Sequence, residues 1–393
     1  MEYSFPMGTR RLHDDANFSF QLNRLAVMGG GDADEIAATA ARIRGIDDWT
    51  REFLALGEKA EAGERLLAAS AYFRAADFFL PFGDTRKTPA FERAAALFRR
   101  HAAADFEEGL IIEHKIPYES GFLPAWRLPA PEGGPEKGVI VLHGGFDSAK
   151  EELYPAADLT RKNGYEVILF EGPGQGEVLA LQGMPMTHEW ERPVKAVLDA
   201  FNLSGVTLVG LSLGGFLAPR AAAFEKRIAR VVAWDVLHDF FHVLASARGP
   251  LMGAGISVLS ALRADRVLNA LALRKAARDP LTAWGLDRGM GVFGEKTPAA
   301  MFRAAKRYRG GKTAGMISQD VLLLAGAEDH LIPLSMFHAD MKAMKNARSL
   351  TGRVFTRAEN AADHCQIGNL PLALSTIDAW ISERSESLRE KSP

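Results

Sequence analysis

The stretch Val206-Thr-Leu-Val-Gly-Leu-Ser-Leu-Gly-Gly215 decides how the rest of the chain is read. Thr207-Leu-Val209 reads as a short strand covered on both faces. Gly210, Ser212 and Gly214 then spell G-x-S-x-G, and a helix begins at Gly214-Gly215. Strand, one-residue elbow and helix leave no room for Cβ atoms two residues either side of the serine, which is why glycines stand there. The turn lifts the Ser212 hydroxyl above the sheet, facing a helix N-terminus whose free N–H groups favour negative charge. Ser212 is therefore the candidate nucleophile, and the residues around it are expected to form a parallel sheet.

Working outward, short apolar runs recur at 139–142, 166–170, 230–234 and 321–324, with helical stretches between them. Alternation of this kind predicts a mostly parallel sheet flanked by helices, the α/β class. Residues 110–117 and 122–128, separated by Glu119-Ser120-Gly121, read as an antiparallel opening hairpin, and 129–135 as a Pro/Gly loop. From 235 to 320 there are many helical residues and no strand, so this interval is expected to be a lid emerging over the strand C-termini. Residues 1–108 are helical throughout: Asp32 and Glu35 have capping-box spacing, Trp49 to Phe79 resembles one tetratricopeptide-type helix pair, and Thr88-Pro89 is placed as N-cap and N1 of a last helix. The final helix is expected at 371–384, with a charged, frayed tail over 385–393. The resulting division is a helical cap 1–108, a core in two parts at 109–234 and 321–393, and the lid 235–320.

Three further segments complete a chemical constellation. His143-Gly-Gly-Phe146 follows the strand at 139–142, where a backbone N–H of Gly145 (or Phe146) would join that of Leu213 to hold an oxyanion. The acid is expected at the mouth of the strand 321–324, in Ala327-Glu-Asp-His330. Asp329 fits best, with Glu328 as the alternative. The base should come last in chain order, and His364 precedes the final helix, whereas His330 and His338 lie too close to Asp329. Serine attack, proton acceptance by His364 and orientation of the imidazole by Asp329 together license covalent acyl transfer. His143 is expected to be structural. The ten histidines are scattered and there is one cysteine, Cys365, so neither a metal-binding set nor an internal disulfide is expected, and no cofactor is called for. Gly172-Pro-Gly-Gln-Gly176 lacks the Lys-Ser/Thr ending of a phosphate loop and reads as a tight turn.

Composition narrows the function classes. With 393 residues, 47% of them hydrophobic, and a formal net charge of −2, the chain can fill a large core but carries no electrostatic footprint for nucleic acid or an anionic membrane. No apolar run approaches the length of a membrane span, and the N-terminus has no apolar signal region. A small-molecule partner and a cytoplasmic location are the expectation.

Glu171-Gly-Pro-Gly-Gln-Gly-Glu177, Asp363-His-Cys-Gln366 and Gly144-Gly-Phe-Asp-Ser-Ala-Lys-Glu151, with the helical N-terminus, are more specific than the elbow. In these phrases the chain resembles one branch of the α/β-hydrolase fold, which holds dihydroxypseudooxynicotine hydrolase, fungal hydrolases that shorten polyketide pigment precursors, and fermentation–respiration switch esterases. The resemblance implies cleavage of a C–C bond in a β-diketone or aryl ketone, N-terminal helices that cap the site and help form a homodimer, and an auxiliary substrate-binding role for Phe146 and for the acidic side chain at Asp147. Asp147 is otherwise read as a helix N-cap. A carboxylesterase or thioesterase using the same three residues is the alternative, and a non-catalytic regulator with a helical interaction module is a third. The aromatic segments 18–20, 72–82 and 234–241 are weighed as pocket lining against ordinary core.

Overall fold

The computed structural model describes residues 5–28, 30–132, 137–247 and 249–389. Residues 133–135 of the anticipated loop and 390–393 of the tail lie outside these. The chain divides into two units: Met1–Ala104 with Leu179–Met186 and Phe240–Arg307, and Asp105–Val178 with Thr187–Asp239 and Tyr308–Pro393. The ends of the interval 235–320 thus group with the sheet, not with a lid. The reason is local: Asp239 and Arg309 form a β-bridge, and Gly310 N–H donates to the His238 carbonyl at 2.8 Å, closing the neck of the insertion.

The second unit is built on strands β1 (Ile112–Tyr118), β2 (Gly121–Leu128), β3 (Val139–His143), β4 (Glu166–Phe170), β5 (Val206–Leu211), β6 (Ile228–Trp234), β7 (Asp320–Gly326) and β8 (Ser349–Phe355). They form one eight-stranded sheet in the order β1-β2-β4-β3-β5-β6-β7-β8. β1 and β2 are an antiparallel hairpin, with Tyr118 opposite Gly121, and β2 runs antiparallel to β4; the remaining pairings are parallel. β5 and β7 are buried at every position, as parallel strands covered on both faces must be. β8 was not anticipated from the sequence. It is an edge strand with only Phe355 buried, so it never presents the unbroken apolar run that marks its neighbours.

This order positions the site. From β3 the chain steps to β4 on one side, then crosses back to place β5 on the other. The C-terminal ends of β3 and β5 therefore flank a switch point, where loops diverge and leave a crevice. The loop after β3 carries Gly144–Phe146, and the turn after β5 carries Ser212.

The first unit is helical among its described residues. Helices Ala16–Val27, Ala33–Ala40, Ile46–Ala62, Leu66–Phe79 and Lys87–His101 lead into it. Its core joins Phe18, Leu22, Trp49, Phe53, Tyr72, Phe73, Phe78 and Phe79, with Leu281 and Trp284 of the insertion packed against them. The aromatic residues at 18, 72, 73, 78 and 79 are thus core. The Asp32 side chain caps its helix by accepting from the N–H groups of Asp34 and Glu35, while Glu35 turns away to Arg65 and the Tyr72 hydroxyl. Lys87–His101 begins one residue before Thr88, because the Lys87 N–H is taken by the Asp84 carbonyl. Pro89 then falls in the first turn, where a missing N–H costs nothing. The final helix spans Leu370–Arg389, so much of the expected tail continues it.

Candidate active site

The elbow sets Ser212 first. Its backbone is in the left-handed region (φ 60°), held by its N–H donating to the Trp234 carbonyl at 2.7 Å. A non-glycine residue in that region carries strain that the surroundings must maintain. The glycines around it are sterically required: a Cβ on Gly210 would stand 2.3 Å from the Gly214 carbonyl oxygen, and one on Gly215 would stand 1.6 Å from the Asp235 carbonyl oxygen.

Three side chains from three loops meet here. His364 Nε2 lies 2.9 Å from Ser212 Oγ, and His364 Nδ1 lies 2.6 Å from Asp329 Oδ2. The consistent tautomer has Nδ1–H donating to Asp329, so Nε2 is free to accept the serine proton. Asp329 is fixed by its own turn, its Oδ1 accepting from the N–H groups of Leu331 (2.7 Å) and Ile332 (2.9 Å). Burial opposes the charge on Asp329, but the imidazole and these N–H groups outweigh it and hold the carboxyl below the usual range. Burial likewise opposes a charged His364, yet the hydrogen-bonded Asp329 carboxylate raises its pKa well above the ordinary imidazole value. Glu328, the alternative acid, faces outward and pairs with Arg357.

The loop after β3 is packed against the elbow. A Cβ on Gly145 would stand 2.7 Å from the Leu213 nitrogen. Gln175 Nε2 donates to the carbonyls of both Gly144 (2.8 Å) and Gly145 (3.0 Å), while its Oε1 accepts from Gly172 N–H. In a trans peptide the N–H points opposite the carbonyl. The N–H groups of Gly145 and Phe146 are thus aimed away from Gln175. That of Gly145 reaches Ser148 Oγ at 3.4 Å. Glu171 anchors the same turn by accepting from the N–H groups of Lys150 (2.7 Å) and Glu177 (2.8 Å).

His143 accepts from Trp190 Nε1–H at Nε2 (3.2 Å) and so donates from Nδ1 to the Gly144 carbonyl (2.8 Å). Burial pushes its pKa down to about 4, which keeps it a neutral spacer. Asp147 is half-buried and is not a helix N-cap, since the helix Lys150–Lys162 is capped at Ala149.

Two residues beside the site went unread in the sequence, Gln175 and Asp235. Gln175 looks like part of a glycine turn until the fold brings it to the β3 loop. Asp235 follows the apolar strand β6 as Asp329 follows β7, and that shared placement was the available signal. Asp235, His364 and Cys365 could present ligand atoms to a metal ion. Both imidazole nitrogens are already engaged by Asp329 and Ser212, so the cluster does not fit a resident ion.

Residues 139–368 match the Alpha/beta hydrolase family. Hydrolase acrC of Aspergillus aculeatus is 34% identical over 301 residues, spanning 69% of this chain and 68% of its own length. The 20-hydroxy-prefusarin hydrolase FUS2 of Gibberella moniliformis is 32% identical over 327 residues, spanning 74% and 77%. Among solved structures, a 2,6-dihydroxy-pseudo-oxynicotine hydrolase shares the fold, with a TM-score of 0.61 at 20% identity over 91% of this chain and 94% of that one. The switch-point elbow, the eight-stranded sheet and the extent of these matches agree, and the chain belongs to the Alpha/beta hydrolase family.

Proposed function

We propose that this chain is a serine hydrolase that cleaves a C–C bond of a β-diketone or aryl ketone through an acyl-enzyme. The observation that carries the reading is the unbroken relay from Ser212 through His364 to Asp329. Ser212 Oγ adds to the ketone carbonyl as its proton passes to His364 Nε2, and Asp329 stabilises the imidazolium. The oxyanion rests on the Leu213 N–H and an N–H of the β3 loop, from Phe146 or Gly145. Collapse breaks the C–C bond. The electron pair leaves on the departing carbon, which must be resonance-stabilised, and His364 returns the proton to it. Water, deprotonated by His364, then releases the carboxylic acid and restores Ser212. Phe146 and Asp147, in the loop facing this chemistry, are assigned to substrate contact. The ketone preference rests on the resemblance of the phrases at 144–151, 171–177 and 363–366.

The test is a panel of aryl ketones, β-diketones, esters and thioesters, with products identified by mass spectrometry. Turnover of a ketone to a carboxylic acid and a shorter neutral product is expected. Ester or thioester turnover alone would reassign the chain to the esterase reading with the same residues. Ser212→Ala should fold normally and lose at least about a thousandfold in rate.

A further inference from the structure

Asp235 stands directly after β6, is 1% exposed, and lies against the relay. Its Oδ2 is 3.6 Å from His364 Nδ1, the same nitrogen that Asp329 Oδ2 meets at 2.6 Å, so the two carboxyl groups converge on one imidazole edge. The same Oδ2 accepts from Cys365 N–H at 2.9 Å and faces Gln366 Nε2 at 3.4 Å. Cys365 and Gln366 are both in the left-handed region, with φ of 50° each, so the segment carrying the imidazole is strained and Asp235 is what it is tied to. The titratable groups facing Asp235 are Asp329 from the loop after β7, and His364 and Cys365 from the loop after β8. No lysine or arginine is ion-paired with it among the described residues. Two buried carboxylates beside one imidazole cannot both stay ionised without a second cation.

We propose that Asp235 is a positioning residue, a neutral carboxyl that donates a hydrogen bond to Asp329 and anchors the His364 segment, so that the relay carries one negative charge instead of two. This rests on the serine-hydrolase reading above. Burial, and then the neighbouring Asp329, push the Asp235 carboxyl well above the usual carboxylate range, in keeping with the geometry. The donated bond spreads the Asp329 charge and moderates its pull on His364. The backbone anchor keeps Nε2 aimed at Ser212.

The test needs no knowledge of the substrate. The rate at which a fluorophosphonate modifies Ser212 is measured against pH for wild type, Ser212→Ala, Asp235→Ala and Asp235→Asn. Wild type should label with an acid limb above the ordinary imidazole value of about 6.5, and Ser212→Ala should not label. Asp235→Ala should label about 10–100-fold more slowly, the cost of a bond to a charged group, with its acid limb moved up as the charge concentrates on Asp329. Asp235→Asn offers a neutral donor of the same shape, so it should recover most of that rate with the acid limb at the wild-type pH. An acid limb displaced downward by about one unit or more in Asp235→Asn would mean that a negative charge had been removed, and would overturn the proposal. So would an Asp235→Ala protein indistinguishable from wild type. If Asp235→Ala does not fold, the position of the Asp235→Asn limb decides alone. An unlabelled wild type sinks the hydrolase reading and this proposal together, whereas a labelled wild type with a shifted Asp235→Asn limb sinks only the proposal.

Discussion

Adjacent carboxylates at 328 and 329 receive opposite fates from a single turn. Asp329 turns inward, where two backbone N–H groups and an imidazole compensate its burial. Glu328 turns outward to the exposed Arg357, where an ion pair is worth at most about 1 kcal/mol. The two side chains should therefore differ sharply in consequence. Asp329→Asn is expected to lower the rate by about 10³–10⁴-fold, because an amide at that position favours the wrong imidazole tautomer. Glu328→Gln should stay within about threefold of wild type. Fluorophosphonate labelling of both variants measures this, and the reverse ranking would move the acid to Glu328.

At the scale of elements, the elbow and the clamp on the β3 loop show where backbone approach outweighs side-chain identity. Gly215 starts the helix Gly214–Phe224 and abuts the Asp235 carbonyl, a backbone atom that cannot swing aside. Gly215→Ala is expected to cost at least about 3 kcal/mol, or to prevent folding. Gly285, inside the helix Pro280–Phe293, has nothing within 4 Å of where its Cβ would be. Gly285→Ala should stabilise by up to about 1 kcal/mol through helix propensity and a less flexible unfolded chain. Urea denaturation of the two variants checks both signs. A Gly215→Ala protein as stable as wild type would show that the elbow can relax more than its geometry allows.

For the whole molecule, the helical unit is discontinuous in sequence, and that has a consequence for truncation. The helix Pro280–Phe293 packs Leu281 and Trp284 onto the core made by the N-terminal helices. Trp284 Nε1 donates to the Phe78 carbonyl at 3.0 Å, and Asp287 accepts from the Phe82 N–H at 2.9 Å. Deleting residues 1–104 would uncover these side chains, each large apolar group losing about 1.5–3 kcal/mol of burial. The truncated chain is expected to bind hydrophobic dyes and aggregate, as light scattering would record. A soluble, monodisperse product would show that the insertion folds without the N-terminal helices.

What the sequence determined by itself was everything encoded in short range. The elbow at 210–214 reads directly because the close approach of strand and helix calls for glycine two residues either side of Ser212. The strands at 139–142, 166–170, 207–209, 230–234 and 321–324 read because burial on both faces demands a largely apolar run. The order of the loops bearing Ser212, Asp329 and His364 followed from the elbow. The tertiary structure decided whatever depends on which loops converge. β8 was invisible because an edge strand needs no apolar run. Gln175 became the clamp of the β3 loop, and Asp235 the neighbour of Asp329, only when the sheet order brought those segments together. The ends of the insertion joined the sheet through the bridge between Asp239 and Arg309, a contact without local periodicity. Chain-local sterics and burial leave a pattern in the sequence, whereas convergence at a switch point is set by the topology of the whole sheet.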